Sequence, residues 1–457
     1  MMFARLSALL RPPAGSPFTN AKLFSWFLPV LLEQLITALM GIADTLLASS
    51  FSDRATAGVS HAFIIYNVAS AFVLGLTLGG GIVTLQYYGS KNHQRASDSA
   101  RCSLVLSVLV AAAFCAILML FPSQIISILM GDVGREVLGY ARIYLLISSL
   151  VLPFTAIFCV CAATYRAQGN TRIPMLASVM ILLISFVCKY LFSAVLPLGV
   201  EGTALANLIA NAVVAAGLMI TMRKKTLVVS FRRADHPFLE KDLFRKVVHY
   251  SFPTALENAS VQIGLMLVQR IIVGYGVVES AAHAIASRLQ PFAYLPAYCW
   301  GIVSTIVSGQ CCGAGNTALA RKSIRHIMRL SFVWMIAVDL FWILVSDPLI
   351  HLFGGSEQAL TLAKKLFIFY CVCTVLMYYC AYGLPQALRG GGDVQYTMIV
   401  SLATMFLVRI GLAYVLGTSF GLGSFGVWIA MATDWAIRCL LYLLRFRSEK
   451  WAMHSAV

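Results

Sequence analysis

Pro29-Val-Leu-Leu-Glu33-Gln34, inside the first long apolar run of this chain, comes back as Pro253-Thr-Ala-Leu-Glu257-Asn258. Two further landmarks also return: Gln86-x2-Gly89 as Gln310-x2-Gly313, and Gly199-x2-Gly202 as Gly423-x2-Gly426. Positions 253 and 29, 310 and 86, and 423 and 199 all differ by the same 224 residues. One offset shared by three distant landmarks marks a duplicated unit of about half the chain.

The 457 residues are 60% hydrophobic and 11% charged, whereas soluble domains carry about a quarter charged residues. Twelve apolar runs, centred from Ile36 to Ile437, come near the ~20 residues that cross a bilayer as a helix. No run alternates at period two, so helices are expected and a barrel is not. Six spans per half give both halves the same insertion topology. The expected fold is therefore an all-α membrane protein, twelve transmembrane helices in two six-helix lobes related by a parallel repeat.

The net charge of +16 is distributed as a topology signal. Lys91, Arg95 and Arg101 follow the second span, Arg166 and Arg172 the fourth, and Arg321, Lys322 and Arg325 the eighth. The longest connection runs from Arg223 to Lys246, and the other alternate connections hold little positive charge. The positive-inside rule then puts both termini in the cytoplasm. This use of basic residues argues against a nucleic-acid partner and for contact with membrane lipids. The expected divisions are a cytoplasmic segment 1–22, lobes 23–221 and 247–445, a basic linker 222–246 and a tail 446–457. Twelve cysteines are scattered through the spans without a C-x2-C pair and read as small apolar packing residues.

Several motifs resemble those of the multidrug and toxic compound extrusion (MATE) transporters. Pro29 to Gln34 with Gly41-Ile-Ala-Asp44-Thr45 is similar to that family's first span, and Gln86 to Gly89 and Gln310 to Gly313 to its glutamine-glycine signature. Tyr165-Arg-Ala-Gln-Gly-Asn-Thr-Arg-Ile-Pro174-Met175 and Leu388-Arg-Gly-Gly-Gly-Asp393 are similar to its connecting loops. The resemblance covers about residues 22 to 447. It implies a bacterial cytoplasmic membrane, extrusion of small molecules from the cytoplasm, and coupling to H⁺ or Na⁺. Asp44 matches the family's first-span aspartate. Ser185 and Lys189 stand where many members have Asn and Asp, and Tyr378 about where some have Asp. Those departures favour protons over a standard Na⁺ cage.

The residues themselves single out the buried charges, because an ionisable group at the bilayer centre costs about 2.5–3.5 kcal/mol on insertion scales. Glu33 and Asp44 lie near one face of the first helix, about 14 and 30 Å from its entry. Glu33, Asp44, Glu257 and Lys189 are the candidate cation-coupling residues. Each carboxylate could equally be a satisfied structural group. Lys189 either neutralises Asp44 or snorkels to the outer headgroups. Asp434 and Arg438, spaced i,i+4, are expected to pair. Asp339 and Arg409 stand in the ninth and eleventh spans, and the sequence leaves open whether they meet. Met266, Arg288, Tyr294, Tyr298, Tyr378 and Tyr382 are the candidate substrate-cavity residues, and packing or lipid contact is the competing role.

The expected activity is cation-coupled antiport of amphipathic or cationic small molecules by rocker-switch alternating access. A flippase for a lipid-linked saccharide is the alternative. No H-E-x-x-H motif or His/Cys cluster suggests an enzyme. A monomer without a cofactor or structural metal is expected.

Overall fold

A segment entering lipid must satisfy its backbone internally, and the computed structural model of the chain is built of helices, with no β-strand among the described residues. The structure describes residues 12, 16–49, 53–130, 134–196, 198–224, 226–232 and 240–456, without the side chains of 42–49, 53, 129–130 and 193–194. The first repeat holds α1 (Asn20–Ser49), α2 (Asp53–Gly89), α3 (His93–Leu120), α4 (Pro122–Met130), α5 (Arg135–Ser149), α6 (Val151–Ala167), α7 (Arg172–Tyr190) and α8 (Gly199–Thr221). The second holds α9 (Lys241–Val273), α10 (Val277–Gly313), α11 (Thr317–His351), α12 (Glu357–Cys373), α13 (Leu384–Gly390), α14 (Val394–Ala403), α15 (Gly411–Tyr414) and α16 (Gly423–Arg447). Short π-helical stretches extend several of them, including Thr374–Gly383 after α12 and Thr404–Ile410 after α14.

The offset of 224 reappears in three dimensions. It separates the first and last residues of α2 and α10, and the first residues of α3 and α11 and of α8 and α16. It also separates two N-caps: Asn92 Oδ1 accepts from the Arg95 amide at 3.1 Å, and Asn316 Oδ1 from the Leu319 amide at 2.9 Å. The repeated G-x2-G motif has a backbone cause. Gly199 and Gly423 open α8 and α16 at φ of +59° and +57°, where L side chains are strained. At Gly426 a Cβ would meet the Leu416 backbone at 2.8 Å.

Among the described residues, eleven helical spans are long and apolar enough to cross a membrane. The expected seventh span is α9, which is long but carries Lys241, Asp242, Arg245, Lys246, Glu257 and Arg270. It also begins earlier than expected, at Lys241, inside the stretch read as a linker. The described part of that linker is docked. Gln168 exchanges two hydrogen bonds with the Val229 backbone, both 3.1 Å, and Arg101 donates to the Arg232 carbonyl.

The chain packs as two compact units, Leu32–Gln262 and Met1–Leu31 with Ile263–Val457. It passes from one to the other inside α1 and inside α9, instead of only at the linker. In the Leu32–Gln262 unit, α2 runs through a core of Val73, Leu118, Leu145 and Leu152 and receives the first half of α9. A Cβ on Gly75 would lie 2.4 Å from the Ala255 Cα, and one on Gly79 2.4 Å from the Ser251 Cα. Glycine here admits a second backbone, as expected of helix packing in lipid. In the other unit, the start of α1 is fixed by Phe27, stacked on Trp300 at 4.3 Å, and by Asn20, bonded to His326 at 2.7 Å.

Gly79→Ala should cost about 1–3 kcal/mol through overpacking and lower the melting temperature of the purified protein. Gly217→Ala, on α8 with nothing within 4 Å of the added methyl, should not. Equal melting of the two variants would show that the α2–α9 approach is not tight.

Candidate functional site

The candidate coupling residues Glu33, Asp44, Lys189 and Glu257 all belong to the Leu32–Gln262 unit, Glu257 because it lies on the first half of α9. Glu33 is 3% exposed, and its Oε1 accepts from Arg166 Nη2 at the end of α6. Its Oε2 has no hydrogen-bond partner. The pair is explained by the cost of an uncompensated buried charge, and half of the carboxylate remains available. Glu257 is 6% exposed and Lys189 5% exposed, so neither reaches the surface of the fold. Lys189 ends α7 one turn after Ser185, whose hydroxyl donates to Asn207 Oδ1 at 2.7 Å. The Asp44 side chain lies outside the described residues, and with it the Asp44–Lys189 pair that is one of the two readings of Lys189.

The candidate cavity residues Met266, Arg288, Tyr294, Tyr298, Tyr378 and Tyr382 all belong to the other unit. Three of them form one stack: Tyr294 on Tyr378 at 5.2 Å and Tyr378 on Tyr382 at 4.8 Å, with near-parallel rings. The π-helical stretch Thr374–Gly383 carries two of these rings, Tyr378 and Tyr382, four residues apart on one face. Trp435 of α16 closes the stack, edge-on to Tyr378 at 5.2 Å and donating from Nε1 to the Tyr382 hydroxyl at 3.2 Å. Met266 and Tyr298 are half-buried and Arg288 is exposed, outside this stack.

Beneath the aromatic stack lies a charged network. Arg438 Nε donates to Asp434 Oδ1 at 2.7 Å, the pair expected from the i,i+4 spacing, and its other nitrogens donate to Ser401 Oγ and O at 3.0 Å. The Arg438 guanidinium also lies 5.4 Å from the Tyr382 ring centre. Arg409 approaches the same carboxylate, its Nη1 4.0 Å from Asp434 Oδ2, without a hydrogen bond there. One carboxylate thus faces two guanidiniums inside the bundle. Sequence reading missed two participants, Arg166 and Trp435, and one contact, that of Arg409 with Asp434. Arg166 was absorbed into the topology signal, Trp435 had no mark beyond an apolar run, and only the i,i+3 or i,i+4 rule could expose a partner of Asp434, never Arg409 on another helix.

The MatE family profile matches residues 29–191 and 253–415, two segments whose bounds again differ by 224. The chain is 26% identical to the probable multidrug resistance protein NorM of Thermotoga maritima, over 98% of this chain and 96% of the relative. It is 24% identical to multidrug and toxin extrusion protein 1 of Oryctolagus cuniculus, over 94% of this chain and 75% of the relative. A solved structure described as the outward-facing conformation of a multidrug resistance MATE family transporter superposes with a TM-score of 0.88 at 19% identity, covering 97% of this chain and 98% of that one. Two family segments in register with the internal repeat, on a bundle of the same fold, make this multi-pass membrane protein a member of the MatE family of efflux transporters.

Proposed function

We propose that this transporter moves amphipathic small molecules, cations among them, from the cytoplasm outward across the bacterial cytoplasmic membrane in exchange for an inward coupling ion, by alternating access. The observation that carries this reading is the division of labour between the units. The buried carboxylates Glu33 and Glu257 lie in Leu32–Gln262, and the aromatic stack suited to an amphipathic substrate lies in the other. The names of the relatives, which concern multidrug resistance and toxin extrusion, support the substrate class. Protons are the coupling ion we favour. A proton on Glu33 removes the charge that its ion pair with Arg166 rests on, so protonation weakens that pair.

Reconstituted into proteoliposomes and loaded with a cationic dye, the transporter should extrude it under an imposed pH gradient, and less or not at all under an imposed Na⁺ gradient. Efflux that ignores both gradients in folded protein would overturn the coupled reading. Arg166→Gln should leave the Glu33 carboxylate unpaired and cost about 3–5 kcal/mol, read as a loss of thermal stability. Glu33→Gln combined with Arg166→Gln should recover most of that stability while transport loses its pH dependence. A double variant as unstable as Arg166→Gln alone would mean that the ion pair is not what the arginine provides.

A further inference from the structure

α11 holds a buried carboxylate that no ion pair accounts for. Asp339 has 0% exposure. Its Oδ1 has no hydrogen-bond partner, and no basic side chain pairs with it among the described residues. Its Oδ2 lies 3.0 Å from the hydroxyl oxygen of Thr374, the residue at which α12 passes into the π-helical stretch Thr374–Gly383.

Hydrogen counting decides the state of this contact. The Thr374 hydroxyl oxygen also lies 2.8 Å from the Cys371 carbonyl and 3.1 Å from the Tyr370 carbonyl. A threonine hydroxyl has one hydrogen to donate, and carbonyl oxygens only accept. If Asp339 is ionised, that one hydrogen goes to the carboxylate. The two carbonyls then receive nothing from the hydroxyl, and a full charge sits in the bundle with one oxygen bare. If Asp339 is the neutral acid, it donates to the Thr374 hydroxyl, which donates in turn to the backbone. Counted through the hydroxyl, that arrangement makes two hydrogen bonds instead of one; the Cys371 thiol, which also hydrogen-bonds to Asp339, can donate in either state and leaves the difference unchanged. It also buries no charge, the outcome expected of an acid removed from water without a cationic partner.

We propose that Asp339 is a proton-binding site of the transport cycle, loaded in this state, with its proton donated to Thr374. The proposal rests on the proton-coupled reading above and adds a carrier in the second unit. On release the proton passes to water, the carboxylate remains, and the Thr374 hydroxyl turns its hydrogen from the carbonyls to Oδ2. The Tyr370 and Cys371 carbonyls also accept from the Thr374 amide, so the change falls on the hydrogen bonds that join α12 to the π-helical stretch. That stretch carries Tyr378 and Tyr382, two rings of the aromatic stack. Loading and release at Asp339 are thereby tied to the segment that presents the candidate substrate surface, and π-bulges recur at functional positions of this kind.

The titratable groups around Asp339 do not replace its proton. On α12 they are Tyr370 and the Cys371 thiol. On the π-helical stretch, Tyr378 stacks within the aromatic set, and the Tyr379 hydroxyl is bonded to Ser304 of α10 at 2.6 Å. Tyr294 of α10 stacks on Tyr378, and Arg409 faces Asp434.

The test uses the full chain in proteoliposomes and reads infrared difference spectra between acidic and alkaline buffer alongside dye efflux. The wild type should show a protonated-carboxyl band at neutral pH that is missing in Asp339→Asn and shifted in Thr374→Val. Asp339→Asn, which has the shape of the neutral acid, should melt with the wild type while efflux driven by the pH gradient falls by about tenfold, within the usual range of coupling energies. Identical carboxyl bands in wild type and Asp339→Asn, or unchanged gradient-driven efflux in that variant, would overturn the proposal. A wild type that ignores the pH gradient with the band in place would overturn proton coupling itself. A wild type that responds to the gradient without the band would overturn only the assignment to Asp339.

Discussion

Everything in this molecule follows from the absence of water around most of its length. A backbone amide or a charge that would elsewhere be solvated must find its partner within the protein. For the backbone the answer is continuous helix, with short π-helical stretches where the register changes. For side chains the answer is the pair or the hydrogen bond: Glu33 takes Arg166, Asp434 takes Arg438, and Asp339 meets the Thr374 hydroxyl and the Cys371 thiol with no cation paired to it among the described residues.

The packing adds a second level of organisation to the repeat. By sequence the halves meet at the connection after α8, but by packing each unit borrows the beginning of a helix from the other half. The first half of α9 lies on the glycine face of α2, and the beginning of α1 lies against Trp300 and His326. Glu257, the repeat partner of Glu33, consequently joins Glu33 in the same unit. The four candidate coupling residues thus share one unit and the aromatic stack belongs to the other, although the sequence repeat distributes its landmarks evenly.

How far the sequence could be read depends on the range of the interaction involved. The offset of 224 was visible in short motifs, and it returned in helix starts, in the Asn92 and Asn316 caps and in the glycines at positive φ, because these are local requirements. The Asp434–Arg438 pair was visible because helical geometry fixes an i,i+4 spacing. The Glu33–Arg166 pair spans 133 positions, and Arg166 looked like one more cytoplasmic positive charge. The Asp339–Thr374 contact spans 35 positions and joins a residue that stood out to one that did not. The passage between units inside α1 and α9 left no trace in hydropathy, which records what a segment is made of and not which neighbours it meets.

The borrowed helix halves also set an order of assembly during synthesis. The Leu32–Gln262 unit cannot close over the bare glycine face of α2 until the ribosome has produced the beginning of α9, well past the end of the first repeat. The beginning of α1, made first, finds its Trp300 and His326 partners only after α10 and α11 have followed. The duplicated gene segment is thus not the folding segment: neither repeat holds all the residues its own core needs, and the two must mature as one chain.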